Sequence, residues 1–430
     1  MRATRDRPVA ARTGGPGVAT AADTGREFFT TRTVGEALAG FRPGRRTPAE
    51  AVPVARALGR VPAEPVTAPH SLPGFARSTV DGYAVRAADT YGASEGLPGY
   101  LQVTGAVVMG TEPDLTVGPG TAAAMPTGGV LPAGADAVVM IEYTQQAMTG
   151  TIEVVRPVAP GEGVVRADED AAAGAELVPA GRPLRGQDLG MLSAAGITSI
   201  AVRARPRVMI FSTGDEVVPP ETAVLRPGQV RDATAVALAA LVTEAGGEPA
   251  GGGIVPDDPT ALELALRLAM PASDMIVISA GSSVGARDET ASVVGRLGSP
   301  GIWCHGLAIK PGKPTLLADC DGVPVIGLPG NPRSALVVFR LLGIPLVRLI
   351  GGCTMPPPDL TVRARLSRDL ASATGRLDVV QVKLADGAAV PVFGLSALLS
   401  VLTAADGFVV IPEEATGLDA GTEVEVTLYR

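Results

Sequence analysis

The sequence predicts a multidomain chain whose centre is a three-layer α/β domain with a mostly parallel sheet. A small β-rich region precedes it and a C-terminal β-barrel or sandwich follows. Two observations carry this: apolar strands alternate with capped helices between residues 205 and 351, and the segments on either side alternate apolar with polar residues. Strand–helix alternation builds βαβ units and parallel sheets, whereas period-two alternation marks half-buried antiparallel strands.

The elements follow in chain order. Residues 1–27 are rich in Ala, Gly, Arg and Pro without apolar periodicity and read as a disordered tail. Between 123 and 155, short apolar runs such as 136–142 and 151–155 are punctuated by Gly and Pro, as in a small β domain. Residues 208–211 form a buried strand ending in Ser212-Thr-Gly-Asp-Glu216. Asp232 caps a helix closed by Gly246-Gly247, and Asp258 caps a second, with Pro259 in its first turn. A second buried strand, 275–279, runs into Ala280-Gly-Ser-Ser-Val-Gly285, and a third, 323–328, turns through Pro329-Gly-Asn-Pro332 into a long apolar helix. Pro324 counts against this third strand unless the strand lies at an edge. After Pro356-Pro-Pro358, the alternating segments 361–366, 378–384, 408–411 and 423–428 form the C-terminal β domain.

Composition narrows the function. At 430 residues and 46% hydrophobic, the chain can bury several cores; roughly 100–200 residues per domain implies two to four. A net charge of −8 disfavours nucleic-acid binding, which needs a clustered basic face. The three cysteines, Cys304, Cys320 and Cys353, lack metal-ligand spacing and suggest a reducing compartment. No apolar run of about eighteen residues exists. A cytoplasmic protein without membrane contact is expected.

Two scarcities point to a site. The chain holds only three lysines, Lys310, Lys313 and Lys383, and one asparagine, Asn331. Two of those lysines fall within four residues, in Lys310-Pro-Gly-Lys313-Pro, with Asn331 about twenty residues on. In an open parallel sheet, ligands bind beyond the carboxyl ends of the strands. The loops there offer the Ser212 hydroxyl, the Glu216 carboxylate, backbone N–H groups around Gly281, Ser283 and Gly285, the Asp288 carboxylate, and the Pro329-Gly330-Asn331 turn. Carboxylates beside ammonium groups and Gly-rich turns suit a magnesium-bridged phosphate or other oxyanion. Asp232 and Asp258 are accounted for as helix caps; Asp257 is not, because its neighbour already supplies the cap.

In these motifs the chain resembles the MoeA/gephyrin E-domain molybdopterin molybdenumtransferases over roughly residues 30–430. The resemblance rests on Pro73-Gly-Phe75, Ser78-Thr-Val-Asp-Gly-Tyr-Ala84, Met125-Pro-Thr-Gly128, Ala135-Asp-Ala-Val-Val139, Glu169-Asp170, Ser212-Thr-Gly-Asp-Glu216, Asp257-Asp258, Lys310-Pro-Gly-Lys-Pro314 and Leu328-Pro-Gly-Asn-Pro332, in that order. It implies four domains: an N-terminal linking α+β domain (28–75 and 174–204), the small β-rich domain (76–173), the α/β domain that binds adenylylated pterin (205–354) and a C-terminal β-barrel (355–430). It further implies a transferase that inserts molybdate into adenylylated molybdopterin and releases AMP, with Mg2+, acting as a homodimer with sites shared between subunits. Contact with a molybdopterin adenylyltransferase would fit the same biosynthesis.

Carried over position by position, Asp257 and Asp288 match the acidic pair associated with magnesium. Lys310 and Lys313 match the basic loop that meets molybdate or phosphate. Asp81 and Thr127 match contributions of the small β domain to the partner's cleft; Glu216 and Asp170 match further acidic positions. Asn331 matches the amide of the loop entering the last helix, and Arg376, Ser396 and Ser400 match a molybdate-facing region loosely. The chain departs from the family pattern at Gly306, a frequently basic position, at Gln381 and Ala397 in the barrel, and at Arg333, where a small apolar residue is common. Because the losses at Gly306, Gln381 and Ala397 fall mainly on the molybdate side, two other readings stand beside the transferase: a paralogue that carries pterin nucleotide without inserting metal, and a molybdopterin adenylyltransferase.

Overall fold

The computed structural model describes residues 31–279 and 284–429, so the 1–27 tail lies outside the described residues. Its centre is a six-stranded sheet of β1 (Arg207–Thr213), β2 (Glu248–Val255), β3 (Met275–Ser279), β4 (Pro300–His305), β5 (Leu316–Cys320) and β6 (Val323–Leu328). The spatial order is β2-β1-β3-β6-β5-β4. The first four of these are mutually parallel; β5 runs antiparallel to β6, and β4, antiparallel to β5, returns to the direction of the first four. Helices α1 (Ala233–Glu244), α2 (Pro259–Ala269), α3 (Val284–Val294) and α4 (Pro332–Val338) alternate with the strands.

Strand alternation divides the apolar side chains between two cores. Met275 and Val277 face one core with Leu238 and Val242 of α1 and Val337 and Val338 of α4. Ile276 and Ile278 face the other, with Leu262 and Leu266 of α2 and Val293 and Val294 of α3. All four β3 residues are fully buried, each contributing about 1.5–3 kcal/mol of transfer free energy. The strand reads as continuously apolar because both faces are covered.

Asp232 and Asp258 cap their helices as expected, accepting from the Ala235 N–H at 3.0 Å and from the Thr260 and Ala261 N–H groups at 3.1 and 3.3 Å. The strand 323–328 forms despite Pro324, and not at an edge: β6 lies inside the sheet, between β3 and β5. Pairing with β3 begins one residue later, at Val325 opposite Ile276, so the missing proline N–H breaks no bond in that ladder. After α4 the chain passes through a π-turn at Phe339–Gly343 into a further helix, Ile344–Ile350. Pro345, which has no N–H to donate one turn back, accounts for the widened turn.

The barrel consists of β7 (Thr361–Leu366), β8 (Leu377–Ala385), β9 (Ala388–Pro391), β10 (Gly407–Ile411) and β11 (Glu423–Leu428). It closes because β8 pairs with both β9 and β10, while β7 and β11 complete the ring. Upstream, a separate six-stranded mixed sheet contains Gly82–Val85, Thr121–Met125 and Ala137–Met140. Strands Ala49–Pro53 and Ser199–Arg203, from either side of that sheet in the sequence, pair antiparallel. The first helix, Val34–Gly40, sends Val34 and Ala37 into the α/β core.

Candidate functional site

The carboxyl ends of β1, β2, β3 and β6 share one edge of the sheet, because these strands are parallel. The amino end of antiparallel β5 joins them: Leu316 pairs with Gly327. The segment leading into β5 is the lysine loop, so topology alone brings Lys310 and Lys313 to the rim that carries the Pro329-Gly330-Asn331 turn. Two further features fix that loop. The pair Ile309–Lys310 adds to barrel strand β8, with Ile309 opposite Leu377 and Lys310 opposite Asp378. Gly312 has φ 119°, and a Cβ there would come within 2.2 Å of Val338 Cγ2, so only glycine lets the loop lie on α4.

The rim and barrel thereby enclose a cavity of about 900 Å3. Its lining includes Lys310, Lys313, Pro329, Gly330, Asn331, Arg333, Arg376, Asp378 and Ser396. Asn331 Nδ2 donates to Ser396 Oγ at 3.0 Å, joining the rim to the barrel. Arg376 Nε donates to Asp378 Oδ1 at 2.8 Å, and Lys310 Nζ stands 3.9 Å from the other carboxylate oxygen. Asp378 is buried, 3% exposed, so its charge is compensated on the spot. Lys313 is exposed and forms no ion pair among the described residues. Burial disfavours the charge on Arg333, pushing its pKa below the usual arginine value, but a guanidinium remains protonated in proteins.

At the other end of the rim, Asp215 and Glu216 follow β1, and Asp257 follows β2. The Asp257 N–H donates to Asp215 Oδ1 at 3.2 Å, drawing the two loops together. Gly214 has φ 140° and a Cβ there would meet Glu216 Oε2, so the turn that presents Glu216 depends on glycine. Ser212 is buried and its hydroxyl has no hydrogen-bond partner among the described residues. None of these residues lines the basic cavity.

The predicted site residues thus divide. Lys310, Lys313, Pro329, Gly330, Asn331, Arg376 and Ser396 converge on one cavity. Ser212, Glu216 and Asp257 stand on the same sheet edge but outside it. Ser400 begins the short helix Ser400–Thr403, is exposed, and does not line the cavity. Asp81 and Thr127 meet each other, the Thr127 N–H donating to Asp81 Oδ1 at 2.8 Å, on the upstream sheet domain. Asp170 is exposed, its N–H bonded to the Leu72 carbonyl; these three line no part of the cavity either. Gly281, Ser283 and the side chain of Asp288 lie outside the described residues, and Gly285 falls in the backbone of α3.

Sequence reasoning passed over Asp378, the buried carboxylate beneath Lys310 and Arg376. The signal was present in part: Asp378 stands two residues from Arg376, a spacing that puts side chains on one face where the chain is extended.

Residues 32–196 match the family described as MoeA N-terminal region (domain I and II), 209–349 the probable molybdopterin binding domain, and 363–429 the MoeA C-terminal region (domain IV). A protein named molybdopterin molybdenumtransferase from Nostoc sp. is 37% identical over 326 residues, covering 75% of this chain and 74% of its own. Molybdopterin molybdenumtransferase 2 from Mycobacterium tuberculosis is 34% identical over 383 residues, 87% of this chain and 94% of its own. A solved structure of a molybdopterin biosynthesis MoeA protein from Pyrococcus horikoshii superposes with a TM-score of 0.81 at 31% identity, covering 93% of this chain and 100% of that one.

Proposed function

The chain belongs to the MoeA family of molybdopterin molybdenumtransferases, and we propose that it inserts molybdate into adenylylated molybdopterin with release of AMP. The observation that carries this reading is the basic cavity between sheet rim and barrel, where four cationic side chains line a space with one carboxylate. Such a cavity selects a small, doubly charged oxyanion, and an acidic chain can hold one only by a local site of this kind.

The chain's own residues do two things. At the basic end, Lys313 and Arg376 hold molybdate, while the Asn331–Ser396 bond keeps rim and barrel at a fixed separation. Positioning then supplies much of the acceleration, because the dithiolene sulfurs meet an anion already oriented and partly stripped of water. Lys310 meets the phosphate side, where charge develops as AMP departs.

At the acidic end, Asp257 and, from the sequence, Asp288 would hold magnesium, with Glu216 beside them. The donors fit: magnesium takes hard oxygen ligands and is commonly bound by one or two carboxylates together with substrate phosphates. Among the described residues Asp215, Glu216 and Asp257 form no ion pair, and no group of three His, Cys, Asp or Glu side chains is placed to enclose a metal unaided. When bound, the ion would neutralise the diphosphate that links pterin to adenosine. In a homodimer, Asp81, Thr127 and Asp170 would serve the partner's cleft, consistent with their distance from the chain's own cavity. No described helix is long and apolar enough to cross a membrane, and the cytoplasm is the proposed location.

The test is direct. Adenylylated molybdopterin, molybdate and magnesium are supplied together, and AMP is followed with time. Molybdate-dependent AMP release is expected; nucleotide binding without it would indicate a carrier, and ATP consumption with pyrophosphate release would indicate an adenylyltransferase.

A further inference from the structure

Among the described residues, Arg333 is the one cavity-lining guanidinium whose charge no carboxylate answers. It sits at the second position of α4, half-buried, and faces the barrel. Its Nε donates to Gln381 Oε1 at 3.0 Å and its Nη1 to the Gly394 carbonyl at 2.7 Å. Arginine carries five N–H donors; two are thus engaged, and the others have no partner among the described residues. No described carboxylate lies within ion-pairing distance of it, unlike Arg376 and Lys310, which share Asp378. A partly desolvated cation without a counter-ion is costly unless a ligand supplies the charge.

The side chain is also held more firmly than a stray surface arginine would be. Gln381 is fully buried, and its Nε2 donates to the Tyr429 hydroxyl at 3.2 Å. The Tyr429 ring in turn stacks near Phe408, with centroids 5.7 Å apart, and lies under the Arg340 guanidinium. A chain of contacts from two barrel strands therefore fixes the direction in which the free edge of Arg333 points. Burying an amide this completely is worthwhile only when both ends are satisfied, and here both are, one of them by the arginine.

We propose that Arg333 is a ligand for the tetrahedral dianion in this cavity, with Gln381 and Tyr429 as its positioning residues. Lys313 and Arg333 are the two lining cations without a carboxylate partner among the described residues, so together they match a charge of minus two. The proposal rests on reading the cavity as the molybdate side of a molybdenumtransferase. It adds a residue from the rim helix α4 to the grip of Lys313 and Arg376.

The same chemistry could serve the substrate's phosphate, and the experiment separates the two. The full-length protein and Arg333→Met are titrated by calorimetry with sodium molybdate and, separately, with AMP, at fixed pH and ionic strength. Expected is at least a tenfold loss of molybdate affinity in Arg333→Met, with AMP affinity within twofold of the parent. Equal molybdate affinity overturns the proposal, as does a loss confined to AMP or an absence of molybdate binding in the parent. If Arg333→Met does not fold, the exchange Arg333→Gln with Gln381→Arg keeps one guanidinium at the same contact. Molybdate binding within about threefold of the parent is expected there, and no binding overturns the proposal. The AMP-release assay is read independently: turnover in the parent with unchanged binding in Arg333→Met sinks this inference alone, whereas no turnover in the parent sinks the reading beneath it.

Discussion

At the basic end of the rim, Arg376 is locked to Asp378, Asn331 to Ser396 and Arg333 to Gln381. At the acidic end, Asp257 and Asp215 are exposed, and neither they nor Glu216 form an ion pair among the described residues. The two ends share one sheet edge and differ in what orders them. Where the barrel closes over the rim, the protein itself fixes the donors before any ligand arrives, which lowers the ordering cost of binding. Where the rim stands open, side-chain order is left to the ligand and its cation. On the proposed reading, the cavity is a selective anion holder and the acidic end an adaptable one.

Substitutions can break that contrast. Lys313→Ala should lower turnover by about 100-fold or more, the scale on which a single stabilising donor acts, while the unfolding midpoint stays put because the side chain is exposed. Steady-state AMP release beside a thermal melt checks this; unchanged kinetics would remove the basic end from the reaction.

A charged pair away from the rim gives the control. Asp188 is buried and held by Arg182 through two bonds of 2.8 and 2.9 Å, and by Arg185. The Arg182 guanidinium, foremost, keeps its carboxyl well below the usual carboxylate range despite burial. A depressed folded-state pKa stabilises the fold above the unfolded value, about 3.9, and the stabilisation fades as pH falls through the folded value. Asp188→Asn should therefore cost about 2–3 kcal/mol near neutrality and flatten the acid limb of the stability curve, with specific activity of the folded fraction unchanged. Denaturant titrations at pH 7 and pH 3 would reveal it; a parent-like acid limb in the variant would contradict the assignment.

The acidic end can be sharpened in the same way. Asp257→Asn should raise the magnesium needed for half-maximal turnover by about tenfold, leaving molybdate affinity alone. Asp258→Ala, one residue away, should cost only about 1 kcal/mol of stability through its lost cap and leave the magnesium requirement unchanged. Similar magnesium curves for these neighbours would erase the distinction between ligand and cap.

Much of this was legible before any coordinates. Caps at Asp232 and Asp258, the three apolar strands, and the meeting of the lysine loop with Asn331 follow from local patterns and one topological rule. Strand β2 did not announce itself, because its centre, Gly251-Gly252-Gly253, has no side chains to alternate. The reason lies in its neighbour: β2 bulges at this point against β1, and a Cβ on Gly252 would come within 2.5 Å of the Phe211 ring. Pro324 weakened a strand reading that the structure bears out, because a proline's position within a strand, not its presence, decides which ladder it interrupts. The Arg333–Gln381 contact joins residues 48 apart on different domains, and nothing in either local sequence encodes it. Each looked like a separate departure from the family pattern; the structure makes them one contact.

The most direct test of the account is where the anion sits. Crystals soaked in molybdate and measured at the molybdenum absorption edge should give an anomalous peak inside the rim–barrel cavity, about 3–4 Å from the Lys313, Arg333 and Arg376 nitrogens. A peak beside Asp257 and Glu216 instead, with none among the three cations, would contradict it.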